Sequence, residues 1–246
     1  MRLAVITDIH GNLHALEAVL ADLAQQGAVD RTWFLGDLCV NGSRPAECLR
    51  RVRDLPNVQA LAGNQDRRIV TGQRSTSRPK DAEDYPKWRE ILRWRDETYL
   101  WTVDQLSYAE WEWLAKLPSE LELNVPGYGW VIGYHGTPGD DEGNLRPETP
   151  DDEALDYMLD REGRMGIGGH THVAMDRTVG GWRLLNAGSV GRPKDDPRPT
   201  YLIVTFEGGA ASVEIRRVAY DVEAEIADLK TCGNPAWAWC ASDILR

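Results

Sequence analysis

No stretch of this 246-residue chain approaches the ~20 consecutive apolar residues that a membrane-spanning helix requires. The opening run Met1-Arg2-Leu3-Ala4-Val5-Ile6 breaks at Thr7-Asp8. It is too short for the apolar core of a secretory signal, so it reads as a first strand, and the expected location is the cytoplasm. Cysteine is scarce: Cys39, Cys48, Cys232 and Cys240 form no Cys-x-x-Cys pair. Without a secretory signal they are expected as free, mostly buried thiols rather than two disulfides. Positive charge is also short. Twenty-eight Lys and Arg against 39 Asp and Glu leave a net charge of −11, a field that repels nucleic acid, membrane surfaces and phosphate at long range. Bulk nucleic-acid binding and membrane association are therefore not expected, and a phosphate ligand must find its positive charge locally. No internal repeat is visible. The ten tryptophans are scattered, as packing residues are, rather than gathered into a base or sugar platform.

What is present is the composition of a folded chain, 42% apolar and 27% charged. A chain of this mass folds to a surface of about 11,000 Å² and buries roughly 70% of what it exposes when extended, enough for one substantial core over residues 1–246. An apolar strand at 2–7 is followed by a helical stripe of Leu13, Leu16, Val19, Leu20 and Leu23, with Asn12 as its N-cap. Trp33-Phe34-Leu35 and Val58 to Ala62 are further strands, separated by a helix from Pro45 to Leu55. This alternation predicts a layered α/β domain. Residues 71–86 are polar and aperiodic, a long loop, and Trp88, Ile91, Leu92 and Tyr99 then share one helical face. Ser107-x-x-Glu110 has the form of a capping box opening a helix that Pro118 stops. Residues 67–118 thus read as a helical insertion or cap over or beside the sheet. Strands are expected at 121–125, 130–134, 165–168, 173–178, 182–186, 200–206 and 210–219. Helices are expected from Thr149-Pro150 to about Glu162 and at 221–229, with 233–239 as a loosely packed tail. Later strands with fewer helices suggest a mixed sheet or two stacked sheets.

Three early strands stop at polar clusters: Asp8 to Asn12, Gly36-Asp37 and Gly63-Asn64. Ligands of open α/β sheets bind beyond the carboxyl ends of strands, so these clusters can share a pocket. Of the five histidines, His10, His135, His170 and His172 also lie just beyond apolar strands beside Gly or Asp, and the fifth is His14. Asp8 and His10 alternate across Ile9, and His170 and His172 repeat that spacing across Thr171. Asp8, His10, Asp37, Asn64, His135, His170 and His172 are too many for one tetrahedral zinc and suit two divalent ions sharing a carboxylate. A single metal and a polar rim without metal are the competing accounts.

In order along the chain, the blocks Asp8-x-His10, Gly36-Asp37, Gly63-Asn64-x-Asp66, His135-Gly136 and Gly169-His170-Thr171-His172 resemble those of the calcineurin-like metallophosphoesterases. The opening Asp8-Ile9-His10-Gly11-Asn12 and the run Asn186 to Pro193 resemble the small bacterial phosphodiesterase and phosphatase branch in particular. The resemblance implies a four-layer α/β/β/α sandwich with two divalent metal ions at the strand ends. Asp8, His10 and His172 would hold the first ion and Asn64, His135 and His170 the second, with Asp37 bridging. Mixed nitrogen and oxygen donors suit manganese, iron or zinc better than calcium. Two such ions leave the pocket locally positive despite the acidic chain, and a hydroxide bridging them would attack phosphorus in line. Asp37, Asn64, Gln65, Asp66 and His135 are the expected catalytic set; Asn12, Gln65 and Arg192 are candidate contacts to a small phosphorylated substrate. Family similarity slightly favours a homodimer.

The chain departs from the family at Gln65, where a histidine is usual. An amide binds phosphate but has no proton to give near neutral pH. General acid catalysis is worth roughly 10²–10⁴ in rate, so esters with poor leaving groups should suffer most. The alternative function is a metal-binding regulatory or interaction protein with weak turnover. Asp66 is expected to accept from the Gln65 amide or to pair with Arg67 or Arg68, and Arg192 to pair with Asp195 or Asp196. His14, one turn past His10, is a candidate for the pocket mouth.

Overall fold

The computed structural model describes residues 1–74 and 77–245; Ser75 and Thr76, inside the loop expected at 71–86, lie outside them. Two five-stranded sheets stack face to face. In the first, β1 (Arg2–Ile6), β2 (Arg31–Leu35) and β3 (Val58–Leu61) run parallel, and β9 (Thr200–Glu207) and β10 (Ala210–Arg217) extend it in the order β10-β9-β1-β2-β3. In the second, β5 (Gly129–Tyr134), β6 (Met165–Gly168) and β8 (Trp182–Asn186) are parallel. The antiparallel strands β4 (Glu120–Val125) and β7 (Met175–Val179) flank them in the order β4-β5-β6-β8-β7. Both sheets are mixed, so the expectation of stacked sheets holds.

Strand alternation builds the layers. Leu3, Val5, Trp33 and Leu35 face the second sheet, where Val131, Met165, Ile167 and Leu185 meet them. Their neighbours Ala4, Ile6 and Phe34 point the other way, as period-two side-chain geometry requires. On that outer face lie α1 (Leu13–Gln25) and α2 (Pro45–Arg53), whose Leu16, Val19, Leu49 and Val52 are buried. The opposite face of the second sheet is covered by α6 (Asp151–Asp156), with Ala154 and Met158 against Ile132, Tyr134 and Leu184. The four-layer α/β/β/α order is therefore present, with a thin fourth layer. The helix expected to reach Glu162 stops at Asp156, where the chain turns and buries Met158 beside Met175 and Val179.

Between β3 and β4 the chain forms α3 (Asn64–Thr71), α4 (Tyr85–Gln105) and α5 (Tyr108–Ala115). The capping box at Ser107 and Glu110 is formed. Helix α3 starts three residues earlier than expected, directly on the Gly63-Asn64 cluster. The expected loose tail is also corrected. Asn234 is buried and its Oδ1 accepts from Ala236 N (2.9 Å), and α8 (Trp237–Ile244) packs Cys240 and Ala241 against Leu229 of α7 (Val222–Thr231). Helix formation there buries an apolar face that a disordered tail would leave in water. All four cysteines are free, with Cys39, Cys48 and Cys240 buried. Among the described residues, no helix is long and apolar enough to cross a membrane.

Candidate metal centre and the cavity above it

The carboxyl ends of β1, β2, β3, β5 and β6 converge on one point, and each delivers its polar residue there. Asp8, His10, Asp37, His170 and His172 all have positive φ, between 52° and 63°. That region is uncommon for residues other than Gly and persists only where the surroundings enforce it. Close approach explains two of the glycines. A Cβ on Gly63 would lie 2.3 Å from Asp37 Oδ1, and one on Gly169 would lie 2.6 Å from Asp8 Oδ2.

Around Asp8, His172 Nε2 lies 3.1 Å and His10 Nε2 3.6 Å from Oδ1. The two imidazole Nε2 atoms are 3.1 Å apart. Each of those rings donates its other nitrogen to a carbonyl: His10 Nδ1 to Val40 O (3.1 Å) and His172 Nδ1 to Arg192 O (2.7 Å). A carbonyl only accepts, so the proton is on Nδ1, and both Nε2 lone pairs face each other and Asp8. His135 repeats the pattern. Its Nδ1 donates to Leu35 O (2.7 Å), and its Nε2 faces Asn64 Oδ1 at 3.1 Å and Asp37 Oδ1 at 3.5 Å. Asp37 spans the two groups, because its other oxygen, Oδ2, is 3.7 Å from His10 Nε2. His170 completes the ring, edge-on to His135 at 5.2 Å between centroids, with its backbone N–H donating to Asp8 Oδ2 (2.9 Å).

Electrostatics make this a cup that calls for positive charge. Asp8 and Asp37 are buried, and no Arg or Lys pairs with either among the described residues. Burial alone would push both carboxyls up, yet the facing imidazoles hold Asp8 well below the usual range and lower Asp37 as well. Burial pushes His10 down, and it takes His170 down to about 4. At His135 burial acts the same way but is overcome by Asp37 and Asp8, which raise it to about 10. Asp8 Oδ1 is buried with no hydrogen-bond partner. Lone pairs converging on an orphaned buried carboxylate oxygen are repulsive unless a cation sits among them. The donor set fits metal ions: Asp8, His10 and His172 form one candidate group, and Asp8, Asp37 and His135 another.

Above the cup is a cavity of about 380 Å³ lined by His10, Asp37, Asn64, Gln65, His170 and His172 below. Arg68, Arg95, Arg146, Arg192 and Lys194 line the same cavity, together with Glu142 and Asp243. The acidic chain thus concentrates cations at one mouth. Gln65 is tied at both ends: its backbone N–H donates to Asp37 Oδ1 (2.8 Å), and its Oε1 accepts from the Tyr99 hydroxyl.

Several expected roles are not met. Asn12 does not line the cavity: its Oδ1 caps α1 at Ala15 N (3.0 Å) and its Nδ2 donates to Tyr220 Oη (3.1 Å). Asp66 is fully buried and accepts from Leu38 N and Gly63 N, both at 3.0 Å. It sits one turn into α3, where a carboxylate folds back onto the helix start. It therefore pairs with neither Gln65 nor Arg67 nor Arg68. Burial and the charge of Asp37 raise it to about 7. Arg67 pairs instead with Asp141 (2.6 Å) and Arg68 with Glu142 (2.9 Å). His14 points away from the cavity and contacts Asp228 (2.8 Å). Arg192 does line the cavity, but its ion-pair partner is Asp243 of α8, and its guanidinium lies over the Trp239 ring at 5.4 Å. Asp195 and Asp196 are engaged by Arg217 and Arg198. Tyr99, Trp239 and Asp243 are lining residues that sequence reasoning missed.

A sandwich of two mixed sheets with buried His, Asp and Asn side chains at its strand ends is the architecture of a metallophosphoesterase. Residues 1–209 match the calcineurin-like phosphoesterase superfamily domain, and the chain belongs to that superfamily. An uncharacterized protein of Methanocaldococcus jannaschii is 30% identical over 96% of this chain and 94% of its own length. A metallophosphoesterase of Sphaerobacter thermophilus superposes with a TM-score of 0.73 at 28% identity, covering 100% of this chain and 98% of its own. The symmetrical bis(5'-nucleosyl)-tetraphosphatase of Sodalis glossinidius is 34% identical over 108 residues, 41% of this chain and 38% of that enzyme. The superfamily match supports a phosphoesterase at the level of the family.

Proposed function

We propose that the protein hydrolyses a phosphoester or phosphoanhydride of a small molecule using two divalent cations held at the strand ends. The observation that carries this is the inward convergence of the Nε2 atoms of His10, His172 and His135 on Asp8 and Asp37, with Asp8 Oδ1 left without a hydrogen bond. Asp8, His10 and His172 would hold one cation, and Asn64, His135 and His170 the other. Asp37 would serve both, since its two oxygens face opposite groups. Imidazole donors make manganese, iron or zinc the fitting ions. Such ions, when bound, supply a water made nucleophilic at neutral pH and the charge that stabilises a phosphoryl group under attack.

The chain's own residues do the rest. The Gln65 N–H at the start of α3 fixes Asp37, and Asp66 fixes the Leu38 and Gly63 loops on either side of it. The Gln65 side chain offers hydrogen bonds to a phosphoryl oxygen and no proton to a leaving group. Five basic side chains line the cavity against the carboxylates of Asp37, Glu142 and Asp243, a balance that favours an anionic substrate. Both features favour aryl esters and phosphoanhydrides, nucleoside polyphosphates among them, over alkyl monoesters. The partial likeness to a tetraphosphatase supports the same choice. The test is turnover of p-nitrophenyl phosphate, bis(p-nitrophenyl) phosphate and a nucleoside polyphosphate by protein loaded with manganese, iron or zinc. Hydrolysis abolished by chelation and by Asp37→Asn is expected. No turnover of any of these by fully loaded wild type would favour the binding or regulatory alternative.

A further inference from the structure

Gln65 stands at the start of α3 between Asn64 and the buried Asp66, and the structure gives it a neighbour from a different element. The Tyr99 hydroxyl of α4 donates to Gln65 Oε1. Arg68 Nη1 donates to the same Tyr99 oxygen (3.4 Å), and Arg68 Nη2 pairs with Glu142 (2.9 Å). The direction of this chain is set by chemistry. A guanidinium only donates, so the Tyr99 oxygen receives from Arg68, and among the described residues the phenol proton goes to the Gln65 carbonyl. Burial raises the Tyr99 phenol above its ordinary value, so the proton stays on it at neutral pH. Once its carbonyl is taken, the side chain of Gln65 has only its NH₂ end left for a ligand in the cavity that Gln65 and Tyr99 both line. That NH₂ makes no hydrogen bond among the described residues.

We propose that Tyr99 is a positioning residue that fixes the Gln65 amide with its NH₂ toward the cavity, making residue 65 a neutral donor to a phosphoryl oxygen. The inference rests on the phosphoester reading of the same cavity. A freely rotating amide would present its carbonyl to the substrate as often as its NH₂, and a carbonyl repels an anionic phosphoryl oxygen. Tyr99 removes that alternative. The phenol proton is engaged by Gln65, so Tyr99 adds orientation rather than general acid.

The test compares manganese-loaded wild type, Tyr99→Phe, Gln65→Ala, Gln65→Glu and the double variant Tyr99→Phe/Gln65→Ala. Binding of inorganic phosphate is measured by calorimetry, and kcat/KM is measured on aryl phosphates of graded leaving-group acidity. Loss of one oriented hydrogen bond predicts phosphate binding about three- to tenfold weaker in Tyr99→Phe. Tyr99→Phe should add nothing in the Gln65→Ala background, and the leaving-group dependence should match that of wild type. Gln65→Glu keeps an acceptor for Tyr99 but loses the N–H donors, so it should bind phosphate no better than Gln65→Ala. An equal loss from Tyr99→Phe in both backgrounds, a steeper leaving-group dependence, or wild-type phosphate binding by Gln65→Glu would each overturn the proposal. So would absence of phosphate binding by loaded wild type. Wild type that binds phosphate but hydrolyses no ester would instead overturn the hydrolase reading and leave the Tyr99 comparison decisive on binding alone.

Discussion

Gly63→Ala probes the proposed metal centre without removing any of its side chains. Gly63 has φ −88° and ψ 178°, ordinary for any residue, so backbone strain does not enter. The added Cβ would stand 2.3 Å from Asp37 Oδ1, 2.4 Å from Asp37 N and 2.9 Å from His135 Cε1. These are about 1 Å inside normal contact, and two of the three atoms are backbone or fixed by it. Asp37 and His135 must therefore move. Overpacking of this kind costs about 1–3 kcal/mol, or roughly 2–4 °C in Tm per kcal/mol for a chain of this size. Displacing a ligand pair that is otherwise intact should weaken metal binding about tenfold or more, as loss of supporting contacts around metal sites does. Gly72→Ala is the control: φ is +69° with open space around the Cβ position, so it should cost about 1 kcal/mol through backbone strain alone. Differential scanning fluorimetry and manganese titration of both variants separate the two effects. Manganese binding by Gly63→Ala with wild-type affinity and stoichiometry would contradict a displacement of Asp37 and His135.

Gln65→His should accelerate hydrolysis of an alkyl monoester such as glycerol phosphate more than that of p-nitrophenyl phosphate, because only the poor leaving group gains from a proton donor. Equal effects on both would show that residue 65 acts on phosphate binding alone. Glu225 of α7 gives a stability prediction that involves none of the candidate ligands. It is fully buried and accepts from Ser43 N (3.0 Å) and Ser43 Oγ (2.9 Å), and burial raises it to about 7 against an ordinary 4.5. A raised carboxyl favours the folded state below the unfolded pKa, and that contribution is lost as pH rises toward 7. The difference is about 3 kcal/mol by linkage. Glu225→Gln should therefore gain on wild type by that amount between pH 4.5 and 7 in urea titrations, and parallel curves would contradict the assignment.

The layers and the gathering of His, Asp and Asn side chains at the strand ends were legible because both rest on local patterns. Period-two alternation in β1 and β2 fixes which residues meet the second sheet, and each candidate ligand follows its strand within one to four residues. What was not legible depends on long-range docking. Tyr99 reads as one more apolar position on α4, and only the packing of that helix beside α3 brings its hydroxyl to Gln65. Arg192 was expected to pair within its own loop, but Asp195 and Asp196 are taken by Arg217 and Arg198, and α8 supplies Asp243 instead. That helix did carry a signal. Trp237, Cys240, Ala241 and Ile244 recur at intervals of three and four, which reads as an apolar face. Asn12 went to its helix cap because a local side-chain-to-backbone bond competes well against a distant ligand.

Crystals of manganese-reconstituted protein would show whether two cations share Asp37. Anomalous scattering at the manganese edge should show two peaks per chain, about 3.5–4 Å apart. Asp37 should lie between them, with Asp8, His10 and His172 around one and Asn64, His135 and His170 around the other. One peak, or none, from protein whose solution metal content had been brought to saturation would contradict the shared site.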